Sequence, residues 1–120
     1  MAYIPKQGDI IWINFDPSSD KEIRKRRPAF VISKKSFNEH MGIAIVAPVT
    51  STIRGIKLEV VLPSTLETKG AVLVYQLKSI DFTERNIAFI EMSPASIIEQ
   101  VSYIAETIVR YYIRYSRRKF

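Results

Sequence analysis

The chain contains no cysteine and a single histidine, His40. Without cysteine there is no disulfide framework and no thiolate metal site. One histidine cannot complete a zinc site of ordinary ligand count, and it excludes two-histidine ribonuclease chemistry. A Ser–His–Asp triad would need that same His40, which sits in "SFNEHMG", a stretch that reads as an exposed hairpin tip with nothing resembling a nucleophile elbow. The four glycines are isolated, so no glycine-rich phosphate loop is present. No apolar run approaches the roughly 20 residues of a membrane span, and "MAYIPKQGD" lacks the basic-then-apolar pattern of a signal peptide. The expectation is one soluble cytoplasmic domain over residues 1–120, with no metal and no cofactor. At 120 residues and 47% apolar composition the chain can fill one core and is too short for two.

Positive charge is what the sequence has in excess, and it is concentrated. The net charge is +6. Between residues 21 and 27, Lys21, Arg24, Lys25, Arg26 and Arg27 stand against Glu22 alone; at the end of the chain Arg110, Arg114, Arg117, Arg118 and Lys119 have no acid among them. The remainder is mildly acidic. Two basic patches on a near-neutral body point to a polyanionic partner.

Between these patches the pattern is β. "GDIIWINF" (8–15) is apolar at nearly every position and β-branched, a strand covered on both faces. "DPSSD" with the basic run makes a long loop of the kind that is often functional. Further strands are expected at 28–33, with Pro28 tolerated as its first residue, at 42–50, at 55–63, as a pair over 70–81 bent near Tyr75–Gln76, and at 86–92. Ser93 reads as an N-cap with Pro94 at the first helical position. Apolar residues at Ile97, Ile98, Val101, Ile104, Ala105, Ile108 and Tyr112 then trace one face of a helix reaching about residue 114. The fold class is mainly β: a small, strongly bent antiparallel sheet or partly open barrel with a C-terminal helix.

The residue types left for chemistry are arginine, hydroxyl and carboxylate. They suit attack of an RNA 2′-hydroxyl on its own phosphate: a carboxylate as base, a planar guanidinium on two phosphate oxygens, and a hydroxyl donor. That reaction brings its own nucleophile and needs no metal.

In order and spacing, "GDIIWINFDP", "RRPAFVIS", "IVAPVTS", "LEVVLP" and "VYQLKSID" resemble the MazF/PemK family of toxin endoribonucleases over residues 5–110. The resemblance implies an SH3-like barrel of the CcdB/PemK type with a C-terminal helix, and a homodimer that cuts single-stranded RNA without metal to cyclic-phosphate and 5′-hydroxyl ends. It also implies an antitoxin partner with an acidic disordered segment. It assigns Arg27 and Thr50 to the cleavage site, with Glu22 as the base used by some members. Gln76, Lys78 and Ser79 fall near substrate or the dimer seam, and Ser51 beside Thr50. On this reading Lys21, Arg24, Lys25 and Arg26 track RNA phosphates with salt-dependent affinity.

Plainer readings stand beside these. Thr50 could serve only to satisfy backbone groups at a strand end, Glu22 only to balance charge, and neighbouring cations lower the pKa that a base at Glu22 would need. Trp12 is expected in core or sheet packing, and Tyr75 either stacks on a base or lines the dimer seam. Arg26 stands where some relatives have histidine, and the tail past about residue 111 is longer than in many. The rival function is a gyrase-poisoning, CcdB-like toxin of the same architecture that cleaves nothing; a third is a catalytically dead RNA-binding barrel.

Overall fold

The computed structural model describes residues 2–15 and 26–112. Among the described residues, seven strands form one antiparallel sheet: β1 (Asp9–Asn14), β2 (Arg26–Val31), β3 (Ala44–Thr50), β4 (Glu59–Val61), β5 (Ala71–Leu73), β6 (Lys78–Ile80) and β7 (Ala88–Met92). Their order is β4-β5-β3-β2-β1-β7, with β6 also on β3. The helix α1 (Lys35–Met41) joins β2 to β3. After β7 comes α2 (Ala95–Thr107), continued by a wider π-helical turn over Ile108–Tyr112.

Alternation along the strands explains why β1 lacks a polar face. Ile10 points into one apolar cluster, shared with Phe30, Ala47, Val49, Val72, Val74, Ile97 and Val101. Ile11 and Ile13 point into another, with Ala29, Val31, Ala44, Val46 and Ile80. The single core expected from chain length is therefore corrected to two clusters, one on each face of a single bent sheet. α2 closes the first, while Tyr3 and Ile4 of the N-terminal strap and Ile87 pack against the second.

The strand over 70–81 is broken by a 3₁₀ turn at Val74–Gln76, where the sequence suggested a bend. Before the turn, β5 pairs Val72 with Val49; after it, β6 pairs Lys78 with Val46 and Ile80 with Ala44. The pairing slips by three residues, an odd number, so the segment changes face. Val72 and Val74 belong to the first cluster and Ile80 to the second, although all three are even-numbered.

Several expectations are corrected. His40 lies in α1, not at a hairpin tip. That seven-residue helix lacks an apolar repeat and is anchored by one buried side chain: Asn38 Nδ2 donates to Pro5 O at 2.8 Å, and Ser33 Oγ donates to Asn38 Oδ1. The strand expected over 55–63 is paired only at Glu59–Val61. Pro28 is the third residue of β2, and it is accommodated there because the β3 ladder begins one residue later, at Ala29. Trp12 is 41% exposed rather than core.

Ser93 does not cap α2. Its hydroxyl and its N–H both donate to Gly8 O, each at 2.9 Å, and Pro94 occupies the cap position without a side-chain bond. A cap is worth about 1 kcal/mol, whereas burying Ile97 and Val101 contributes about 1.5–3 kcal/mol each, so packing anchors the helix. Gly8, at φ +94°, makes this docking possible: a Cβ there would lie 2.3 Å from Ile98 Cδ1.

At the other edge Glu91 of β7 holds the loop before β5. Its carboxylate accepts from Glu67 N–H, Thr68 N–H and the Thr68 hydroxyl. Burial pushes its pKa up, but these bonds together with Lys69 outweigh that and hold it below the usual carboxylate range. A carboxyl depressed on folding stabilises above its unfolded pKa, and that contribution is lost as pH falls through the folded value. Glu91→Gln should therefore narrow the stability difference between pH 7 and pH 3 in urea denaturation. An unchanged difference would show that the loop's bonds do not depend on the charge.

Candidate nucleic-acid interface

The principal sequence candidates lie on two neighbouring strands. β2 and β3 pair Ala29 with Pro48, Phe30 with Ala47 and Val31 with Val46. The ladder ends at Ala29–Pro48, and Arg27 and Thr50 each lie two residues beyond that last pair, in β2 and β3. Both continue the face that carries Ala29, Val31, Ala44 and Val46. Arg27 is exposed and Thr50, the last residue of β3, is half-buried. Thr50 Oγ1 accepts the Thr52 N–H at 3.1 Å. The strand-end role weighed for this threonine is thus real, and it is compatible with donation, because accepting one bond leaves the hydroxyl proton available.

Lys78 lies on the same face, opposite Val46, four residues along β3 from Thr50 or about 13 Å. Its Nζ sits 5.1 Å from the centre of the Phe15 ring, an attraction of about 0.5–1 kcal/mol at an exposed site. That is weak enough for a phosphate to compete for the ammonium. Ser51, Gln76 and Ser79 are exposed. Gln76 donates to the Tyr75 hydroxyl at 3.3 Å in the 3₁₀ turn, and Ser79, adjacent to Lys78 in β6, belongs to the opposite face. Arg26 is half-buried opposite Asn14 and also on the opposite face from Arg27. Lys21, Glu22, Arg24 and Lys25, like the basic residues past 112, lie outside the described residues.

Three further residues around these candidates were not singled out from the sequence. Arg85, in the turn before β7, donates through Nη1 to Asn14 O at 3.2 Å and Phe15 O at 2.8 Å, clamping the end of β1 beside Lys78. Gly70 lets its backbone lie against the Thr50 carbonyl. Glu59 accepts the Arg54 and Gly55 N–H groups from the loop that follows Thr50. These contacts span separations of up to 71 residues, which local pattern does not report. Among the described residues no group of three or more His, Cys, Asp or Glu could hold a metal ion.

The geometry defines a class: a small two-sided antiparallel barrel presenting cations and one strand-end hydroxyl along a single face. Comparison with known proteins narrows it. Residues 6–108 match the family model of the PemK-like, MazF-like toxins of type II toxin–antitoxin systems. The endoribonuclease toxin MazF of Escherichia coli K12 is 40% identical over 83 residues, 69% of this chain and 74% of that protein. The crystal structure of MazF from Deinococcus radiodurans superposes with a TM-score of 0.80 at 32% identity, covering 90% of this chain and 98% of the other. A MazE–MazF complex from the same organism gives 0.80 at 30% identity, with 91% and 98% covered. The chain belongs to the PemK-like, MazF-like toxin family.

Proposed function

We propose that this chain is the toxin of a toxin–antitoxin pair and acts as a metal-independent, sequence-selective endoribonuclease on single-stranded RNA in the cytoplasm. The 40% identity to an endoribonuclease toxin carries the proposal, and the location of Arg27 and Thr50 on the adjacent strands β2 and β3, each two residues past the last pair of their ladder, supports it. The Arg27 guanidinium takes two oxygens of the scissile phosphate and balances the charge that develops there. The Thr50 hydroxyl, its oxygen held by the Thr52 N–H, donates to the same phosphoryl group. Glu22 removes the 2′-hydroxyl proton, the 2′-oxygen bonds to phosphorus, the bond to the 5′-oxygen breaks, and that oxygen takes up a proton from water as it leaves. The products are a 2′,3′-cyclic phosphate and a 5′-hydroxyl.

Lys78 and the basic run from Lys21 to Arg26 track flanking phosphates, so affinity falls with salt. The active species is a homodimer, and large side chains left exposed, such as Ile53, Val61 and Val109, offer material for its contacts. An antitoxin whose acidic disordered segment competes for the same cations is the partner. A MazE–MazF assembly among the structural neighbours supports that partnership.

The test is incubation with a long single-stranded RNA in excess EDTA, followed by end mapping, with Arg27→Ala run alongside to expose contaminating nuclease. Discrete cuts with cyclic-phosphate and 5′-hydroxyl ends, absent with the variant, are expected. Intact RNA from a folded dimer would transfer the reading to the gyrase-poisoning alternative, which a DNA-supercoiling assay then examines.

A further inference from the structure

The loop that leaves Thr50 exposes every residue from 51 to 57, including two cations, Arg54 and Lys57, and two large apolar side chains, Ile53 and Ile56. Such a loop has little burial of its own to hold one shape. It is tied down from beneath by one buried side chain. Glu59, 8% exposed at the start of β4, accepts the Arg54 N–H at 3.0 Å and the Gly55 N–H at 2.6 Å, both through Oε1. Gly55, at φ +72°, makes the turn that aims two consecutive N–H groups at one oxygen. Glu59 Oε2 is buried and has no hydrogen-bond partner among the described residues. Among the described residues the carboxylate thus bonds to the loop alone.

From this geometry we propose that Glu59 is a positioning residue for substrate binding: it fixes the 51–58 loop as one wall of the RNA groove and sets where Arg54 and Lys57 meet the phosphates flanking the cut. The inference rests on the endoribonuclease reading above. Glu59 does not touch RNA. It acts through the loop, on binding and on the choice of cutting site, and Thr50 keeps its place because β5 holds it separately through the Thr50–Ala71 pair.

Glu59→Ala and Glu59→Gln separate this role from general support. Glutamine keeps an acceptor oxygen at the position of Oε1, so it restores both loop bonds; alanine restores neither. The expected result for Glu59→Ala is a KM for RNA raised about tenfold, kcat within about twofold of wild type, and a broader set of cut sites, with Glu59→Gln close to wild type in all three. Arg54→Ala/Lys57→Ala should raise KM similarly, and adding Glu59→Ala to that pair should raise it little further, since both act through one loop. Unchanged KM and cut pattern in Glu59→Ala, a fall confined to kcat, or a glutamine variant as impaired as alanine would overturn the proposal.

Amide hydrogen exchange gives a reading independent of cleavage. The Arg54 and Gly55 N–H groups should be protected in wild type and in Glu59→Gln. Rapid exchange at both in wild type would overturn the assignment even if Glu59→Ala does not fold. Failure of the wild-type protein to cut RNA, with those two amides protected, would instead refute the endoribonuclease reading and leave the loop tie standing.

Discussion

Arg27→Ala is expected to lower single-turnover RNA cleavage about a thousandfold while leaving the melting temperature nearly unchanged. The catalytic loss follows from the role proposed for the guanidinium, a fixed pair of donors to phosphate oxygens where charge accumulates, and is of the size seen when transition-state donors or arginine fingers are removed. The small structural effect follows from its place. Arg27 is exposed near the start of β2, paired through its backbone with Ile13, and exposed substitutions of this kind stay within about 0.5 kcal/mol. Arg27→Lys sharpens the test. Lysine keeps the charge but loses the planar fork, so recovery should be partial, about tenfold above alanine. Cleavage by Arg27→Ala at a rate near wild type would remove this residue from the mechanism.

Gly70→Ala is expected to damage both stability and turnover. Gly70 has φ +118°, and a Cβ built there would lie 1.9 Å from the Thr50 carbonyl oxygen, 2.7 Å from its carbonyl carbon and 3.0 Å from Ser51 Cα. All three are backbone atoms, which cannot swing aside like the tip of a flexible side chain, so the end of β3 must move. Backbone strain and overpacking together should cost about 2–4 kcal/mol. Displacing Thr50 by about 1 Å relative to Arg27 should lower saturated turnover about a hundredfold. Gly42→Ala is the control: its φ is +71°, yet nothing lies within 4 Å of the added methyl. It should lose about 1 kcal/mol in urea denaturation and none of its turnover. Equal behaviour of the two variants would show that the contact with Thr50 is not what Gly70 provides.

The parts of the fold visible in the sequence are those carried by short-range periodicity. The β-branched runs of β1 and β3, the bend after Leu73 and the apolar face of α2 are all written locally. Parts held by single long-range bonds were not visible. α1 is anchored by Asn38, whose side chain donates to Pro5 O, and Ser93 resembles a cap in sequence but is claimed by Gly8 O, 85 residues away. The residues after Gly55 look like strand, yet the strand begins only at Glu59, whose carboxylate gathers the N–H groups of Arg54 and Gly55.

The candidate site divides in the same way. Arg27, Thr50 and Lys78 are conspicuous as charge and hydroxyl within recognisable segments, whereas their supports, Gly70, Arg85 and Glu59, resemble ordinary turn and strand residues until the backbone is seen. A support is defined by what it touches, and local sequence does not encode that.

The 3₁₀ turn at Val74–Gln76 carries a consequence for how such sequences can diverge. Because the slip it introduces is odd, Lys78 shares a face with Arg27 and Thr50, while Val72 and Val74 remain in the opposite cluster. Within the turn Val74 is held by its burial in that cluster, and the number of residues is held to a parity. Gain or loss of one residue would send Lys78 to the far side and drive Ile80 out of its cluster. Lineages descended from this chain should therefore show gaps of two at this point or none, and a functional relative carrying a gap of one would need a compensating bulge in β6.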